Sequence, residues 1–274
     1  MNNLLVRAIT AIIGVTIILS AIIYNQWTFF TVFILINLLT LHEFYKLGQA
    51  AVRKPFFVWG LIQSALIFTA SYLTFSGNGD PVYFLILAGF FSLIFVFAIF
   101  RKDRTNIISC IAFSIMGIFY VSIPISLVNA IAFSEGVYAF PLIVGLLFSQ
   151  WANDTGGYFA GKTLGKHKLY EAISPNKTWE GSIGGFVLVL IITYAISLFF
   201  ENLTAVEWMG LGVVIAVFGS IGDLAESLFK RNLAIKDSGS SIPGHGGFLD
   251  RFDGLLLALP FATLYIHFVI QLKK

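Results

Sequence analysis

The chain has 274 residues, 58% of them hydrophobic and 11% charged, with a formal net charge of +3. A soluble domain carries roughly 25% charged residues, so a water-soluble globule is excluded. The single cysteine, Cys110, excludes an internal disulfide and a cysteine-based metal cluster.

Nine apolar stretches approach the length of about 20 residues that a membrane-spanning helix needs. They centre on residues 14, 37, 66, 90, 118, 147, 191, 217 and 262. The first, Leu4 to Tyr24, shows no small-residue cleavage site and is followed by eight more, so it is expected to be a retained span rather than a signal peptide. The expected fold is all-α: a polytopic integral membrane helical bundle of about nine transmembrane helices with a cytoplasmic N-terminus. Lys and Arg collect on the cytoplasmic side of membrane proteins. With that orientation, 15 of the 17 basic residues fall inside and only Lys273 and Lys274 fall outside. The chain reads as one integrated membrane domain. Residues 1–136 hold about five generic apolar spans, and 137–274 hold about four spans with cytoplasmic connections at 161–180 and 230–253. No internal repeat is visible.

Polar residues interrupt the later spans. In the sixth, Gln150-Trp-Ala-Asn-Asp-Thr-Gly-Gly-Tyr places Asn153 and Asp154 inside an apolar run. In the eighth, Asp223 lies about 22 Å from the outer end, near the inner edge of the hydrocarbon. A carboxylate there is costly, so it is expected to face a partner or a watery cavity. Glu226 and Ser227 follow at i+3 and i+4 on the same helix face. Asp250 and Asp253 repeat the i, i+3 spacing at the start of the ninth span. Carboxylates sharing a site need cations, either Lys and Arg or a divalent metal. Oxygen-only ligands favour a hard ion such as Mg²⁺ over zinc. The plainer alternative is that Glu226 with Lys230 at i+4, and Asp250 with Arg251, are structural pairs at helix ends.

Gly244, Gly246 and Gly247, with Pro243 and His245, make a loop whose amides can approach a ligand closely. Lys230, Arg231, Lys236 and Arg251 stand around it in sequence, as binding of a polyphosphate requires. Gly156 to Thr163, GGYFAGKT, matches the P-loop spacing letter for letter. It ends a membrane helix rather than joining a strand to a helix, so it is not expected to act as a P-loop.

The segment SLFKRNLAIKDSGSSIPGHGGFLDRFD, residues 227–253, closely resembles the signature of the phosphatidate cytidylyltransferases, or CDP-diacylglycerol synthases. The likeness extends to GSIGDLAES, ISPNKTWEG and WANDTGGY, covering roughly the C-terminal half. It implies an enzyme of the bacterial inner membrane that joins CTP and phosphatidate with Mg²⁺. It also implies an active site facing the cytoplasm, with K⁺ as a possible second cation, a possible homodimer, and no nucleic-acid partner. By that resemblance Asp223 and Asp250 would hold the metal, with Asp253 and Asp154 supporting it or its ligands. Lys177, Lys230, Arg231, Lys236 and Arg251 would meet the phosphates of CTP and phosphatidate. Asn153, Ser227, Gly244, His245, Gly246 and Gly247 complete the expected substrate contacts. An ion-coupled transporter would also place carboxylates within spans, but nearer mid-membrane and between repeats. A lipid-binding scaffold has no use for two carboxylate pairs.

Overall fold

The computed structural model describes residues 3–52, 54–233, 235, 238–239, 241–242 and 246–273. Hydrocarbon offers no partner for main-chain N–H and C=O groups, so the apolar runs close their hydrogen bonds within helices. In chain order these are α1 (Asn3–Tyr24), α2 (Gln26–Val52), α3 (Phe57–Leu73), α4 (Val82–Ile99), α5 (Ile107–Gly117), α6 (Ile123–Ser126), α7 (Val128–Ala132), α8 (Phe140–Leu164), α9 (Trp179–Ser197), α10 (Ala205–Asn232) and α11 (Leu249–Leu272). An antiparallel hairpin, β1 (Lys168–Tyr170) and β2 (Ser174–Thr178), joins α8 to α9. The expected open connection over 161–180 is therefore shorter and more ordered, because α8 runs on to Leu164 and the chain then pairs with itself.

Among the described residues seven helical stretches are long and apolar enough to cross a membrane. One of them is composite: α5 to α7 form a single broken span from Ile107 to Ala132. Its break is a π-helical turn at Ile118–Ser122, just ahead of Pro124. Proline has no N–H to return to the preceding turn, so the helix widens there. The apolar stretch Ile9–Tyr24 of α1 and the 25-residue α8 stand at the two other expected positions. The protein is a polytopic helical membrane protein. In α4 only Ile94 is buried, and Phe84, Leu85, Ile86, Leu93, Phe95, Phe97 and Ile99 are exposed, as a lipid-facing helix requires.

The chain divides into two compact units: Met1–Ala130 with Asp237–Phe252, and Ile131–Lys236 with Asp253–Lys274. In the first, α2 supplies the centre of the core through Phe29, Leu41 and Tyr45, all fully buried. The Tyr45 ring fits where Gly60 and Gly117 carry no Cβ, and its hydroxyl donates to the Ser114 carbonyl at 2.6 Å. Phe44 stacks on Phe113 with ring centroids 4.9 Å apart.

In the second unit the closest helix approach is built from glycine. A Cβ at Gly156 would lie 2.7 Å from the Gly184 carbonyl oxygen, and one at Gly185 would lie 2.7 Å from the Asn153 carbonyl oxygen. Small residues let membrane helices gain dispersion contact that lipid cannot replace. Gly156, Gly157 and Gly161, the glycines of the P-loop look-alike, thus lie inside α8 and face Gly181, Gly184 and Gly185 of α9. Their role is packing. The start of α9 is fixed by Thr178, whose Oγ1 accepts the Gly181 N–H at 3.1 Å. Glu180 in the same turn accepts the N–H groups of Lys166 and His167, which ties down the entry to the hairpin.

Candidate active site

The second unit gathers the polar residues of α8, β2, α10 and the part of α11 from Asp253 onward. Lys177, at the end of β2, extends its Nζ to Asp223 Oδ2 on α10 at 2.9 Å. One turn along α10, Glu226 is 1% exposed and paired with Lys230 Nζ at 2.6 Å. The i, i+4 pair that the spacing allowed is therefore formed, and it is buried. Asp253 lies within electrostatic reach of both Asp223 and Glu226, and its Oδ1 accepts the Gly254 N–H at 2.9 Å. Three carboxylates thus converge on two lysines, which leaves an excess of negative charge among these side chains.

Glycines make the convergence possible. A Cβ at Gly254 would lie 2.8 Å from Asp223 Oδ1 and would also run into Gln150, while Gly219 leaves room for Gln150 Oε1. Gln150 in turn donates to Asp154 Oδ1 at 3.0 Å, and Asn153 Nδ2 donates to Ser220 Oγ at 3.3 Å. A Cβ at Gly222 would lie 2.8 Å from the Asp253 carbonyl oxygen and 2.9 Å from that of Gly254. Those are main-chain atoms and cannot swing aside. Gly222→Ala is therefore expected to destabilise the unit by about 1–3 kcal/mol, seen as a lower unfolding midpoint in detergent. An unchanged midpoint would show that α10 and α11 tolerate a wider spacing.

The first unit holds the glycine turn. Both oxygens of Asp250, in the first turn of α11, face the Ser238 N–H at 3.1–3.2 Å, and Oδ2 also accepts the Gly247 N–H at 3.0 Å. Gly246 adopts φ of 79°, a left-handed conformation that glycine enters without a Cβ penalty, and its carbonyl accepts the Ile242 N–H at 2.9 Å. The turn also meets a residue that the sequence reading passed over. Glu43 of α2, 2% exposed, accepts the Leu249 N–H at 2.9 Å.

Of the remaining expected site residues, Ser227 is part-buried on α10 and Arg251 is exposed on α11. Arg231 is exposed, and its Nε reaches the Ile173 carbonyl oxygen at 3.4 Å. Lys236, Gly244 and His245 lie outside the described residues. Gln150 and Ser220 hold Asp154 and Asn153 and had no assigned role; an amide inside an apolar run is the signal that could have found Gln150.

The sequence of the chain matches a known family along nearly its whole length. A model of the cytidylyltransferase family matches residues 5–269. The chain belongs to the cytidylyltransferase family. A phosphatidate cytidylyltransferase from Staphylococcus haemolyticus is 35% identical over 95% of this chain and 98% of its own. Those from Staphylococcus aureus strain COL and Staphylococcus epidermidis are 35% and 33% identical over the same shares. The relatedness of this cytidylyltransferase-family chain thus includes the first five spans, which sequence pattern alone left as generic apolar helix.

The donor set of this family member is oxygen only. Among the described residues no three His, Cys, Asp or Glu side chains are arranged to hold a metal. Mg²⁺ is commonly held by one or two carboxylates and completes its octahedron with water and substrate phosphate rather than a protein cage. Asp223 and Asp253 fit such a role in the second unit.

Proposed function

We propose that the protein transfers CMP from CTP to phosphatidate, giving CDP-diacylglycerol and pyrophosphate, at the cytoplasmic face of a bacterial plasma membrane. The observation that carries this reading is the part-buried set of two lysines and three carboxylates, Lys177 with Asp223 and Lys230 with Glu226 beside Asp253. The full-length likeness to proteins named phosphatidate cytidylyltransferase gives that set its substrates.

Phosphatidate is a phosphate monoester with a second pKa of about 6, so near neutral pH its oxygen is largely ionised and already nucleophilic. It attacks the α-phosphorus of CTP, and the bond from that phosphorus to the pyrophosphate oxygen breaks. No general base is required. What the protein must supply is alignment of two polyanions and positive charge around the α-phosphate and the leaving pyrophosphate. Lys177 and Lys230 are held for this by Asp223 and Glu226. Arg231, Lys236 and Arg251 are assigned to phosphate, and Asn153, Asp154, Ser227 and the glycine turn from Gly244 to Gly247 to the nucleotide and lipid head group. His245 is a ligand contact in this scheme rather than a base. Asp223 and Asp253 would hold Mg²⁺, and Asp250 is assigned to metal on the family resemblance. When bound, Mg²⁺ would neutralise charge on the phosphates and favour departure of pyrophosphate.

Detergent-solubilised protein incubated with labelled CTP, phosphatidate and Mg²⁺ is expected to yield CDP-diacylglycerol and pyrophosphate in equal amounts. Chelation with EDTA should abolish turnover, and added Mg²⁺ should restore it. Product formation that survives chelation would remove the metal from the scheme, and absence of product in folded protein would overturn the reading as a whole.

A further inference from the structure

We propose that Glu43 is a positioning residue for the reaction: its buried carboxylate fixes the glycine turn and the first turn of α11, and through them Asp250. This rests on the cytidylyltransferase reading above. Glu43 sits in an apolar helix, 2% exposed, on the same face as the fully buried Thr40 at i−3. One of its oxygens, Oε2, accepts the Leu249 N–H at 2.9 Å, one of the donors that the start of α11 leaves unsatisfied. The carboxyl also touches the turn from a second direction. A Cβ at Gly239 would lie 3.1 Å from its Cδ and Oε1, and a Cβ at Gly247 would run into Oε2.

Gly247 is therefore held twice, by its N–H to Asp250 and by its Cα against Glu43. Leu249, bonded to Glu43, is the residue immediately before Asp250. Any shift of the Glu43 carboxyl moves the backbone that aims Asp250.

Capping alone needs only one acceptor oxygen, and a glutamine would supply it. The remaining oxygen, Oε1, is buried and finds no hydrogen-bond partner among the described residues, and the same holds for Ser238 Oγ in the turn. The carboxyl also stands at the start of α11, the end of a helix dipole that favours an acidic group. It therefore does more than complete one hydrogen bond: its two oxygens lie against Leu249, Gly239 and Gly247 at once.

The test uses the full chain in detergent with Glu43→Gln, Glu43→Asp and Gly247→Ala, measuring kcat, KM for CTP, Mg²⁺ activation and unfolding midpoint. Glu43→Gln keeps the shape and the acceptor for Leu249, so its midpoint should match the wild type. Its kcat should fall by about ten- to a hundredfold, as a misplacement of about 1 Å does, with KM for CTP little changed and more Mg²⁺ needed for half-activation. Glu43→Asp, which keeps the charge, should recover part of kcat. Gly247→Ala, which displaces the carboxyl from the other side, should copy the loss. Glu43→Gln with wild-type kcat and Mg²⁺ response overturns the proposal, as does a loss of activity that only tracks the fraction unfolded. A wild type that makes no CDP-diacylglycerol under these conditions instead overturns the functional reading on which the proposal stands.

Discussion

Asp223→Asn is expected to abolish CTP-dependent formation of CDP-diacylglycerol in protein that still folds, a fall of at least about 10²–10³ in kcat. Asparagine keeps one acceptor oxygen for Lys177 and keeps the volume, so the contact with Gly254 and the approach of α10 to α11 survive. What is lost is the negative charge. Two roles for that charge separate in the data. If Asp223 serves only to hold Lys177, then Lys177→Met should reduce activity as much as Asp223→Asn, and neither variant should alter the response to Mg²⁺. If Asp223 serves the metal, Asp223→Asn should be the more damaging, and raising Mg²⁺ should not restore the rate. The ion pair is part-exposed, 28% on the lysine and 23% on the aspartate, so screening by water keeps its contribution to stability small. The unfolding midpoint should therefore move little in either variant. Full activity of Asp223→Asn would end the assignment of this carboxylate to the chemistry.

The long apolar helices were legible because each is a run of apolar residues long enough to need no other cue, and the family was legible from 227–253. The hairpin between α8 and α9 was not. Lys168 to Tyr170 and Ser174 to Thr178 have no alternation of apolar and polar residues; they are held by main-chain pairing and by Glu180, which reaches back to Lys166 and His167. The P-loop spacing at Gly156 to Thr163 was correctly set aside, but its real use became visible only when Gly181, Gly184 and Gly185 of α9 were seen against it. Glu43 obeys the same rule that singled out Asp223, an acidic residue inside an apolar run. It was given no role from the sequence, and its partner is the amide of Leu249, 206 residues away. A contact of that separation has no periodicity to reveal it.

Asp250→Asn is the second variant expected to lose nearly all activity, and the hydrogen bonds around it say how to interpret the loss. Both carboxylate oxygens face the Ser238 amide, and one also accepts from Gly247. An asparagine whose oxygen takes the Oδ2 position still accepts from both amides, but it loses the charge and turns an NH₂ toward the Ser238 N–H, a donor facing a donor, which weakens the turn. Part of the effect should therefore be structural, seen as a lower unfolding midpoint and looser protection of the Gly247 amide against hydrogen exchange. Were that the whole effect, assaying well below the midpoint would restore most of the rate. A direct role in handling Mg²⁺ and phosphate predicts instead a loss of at least about 10²–10³ in kcat at every temperature where the protein is folded. Asp250→Glu discriminates further: it keeps the charge but moves it by one methylene, so it should retain the Mg²⁺ requirement while losing rate. Recovery of wild-type kcat in Asp250→Asn at low temperature would reduce Asp250 to an anchor for the turn and shift the metal assignment wholly onto Asp223 and Asp253.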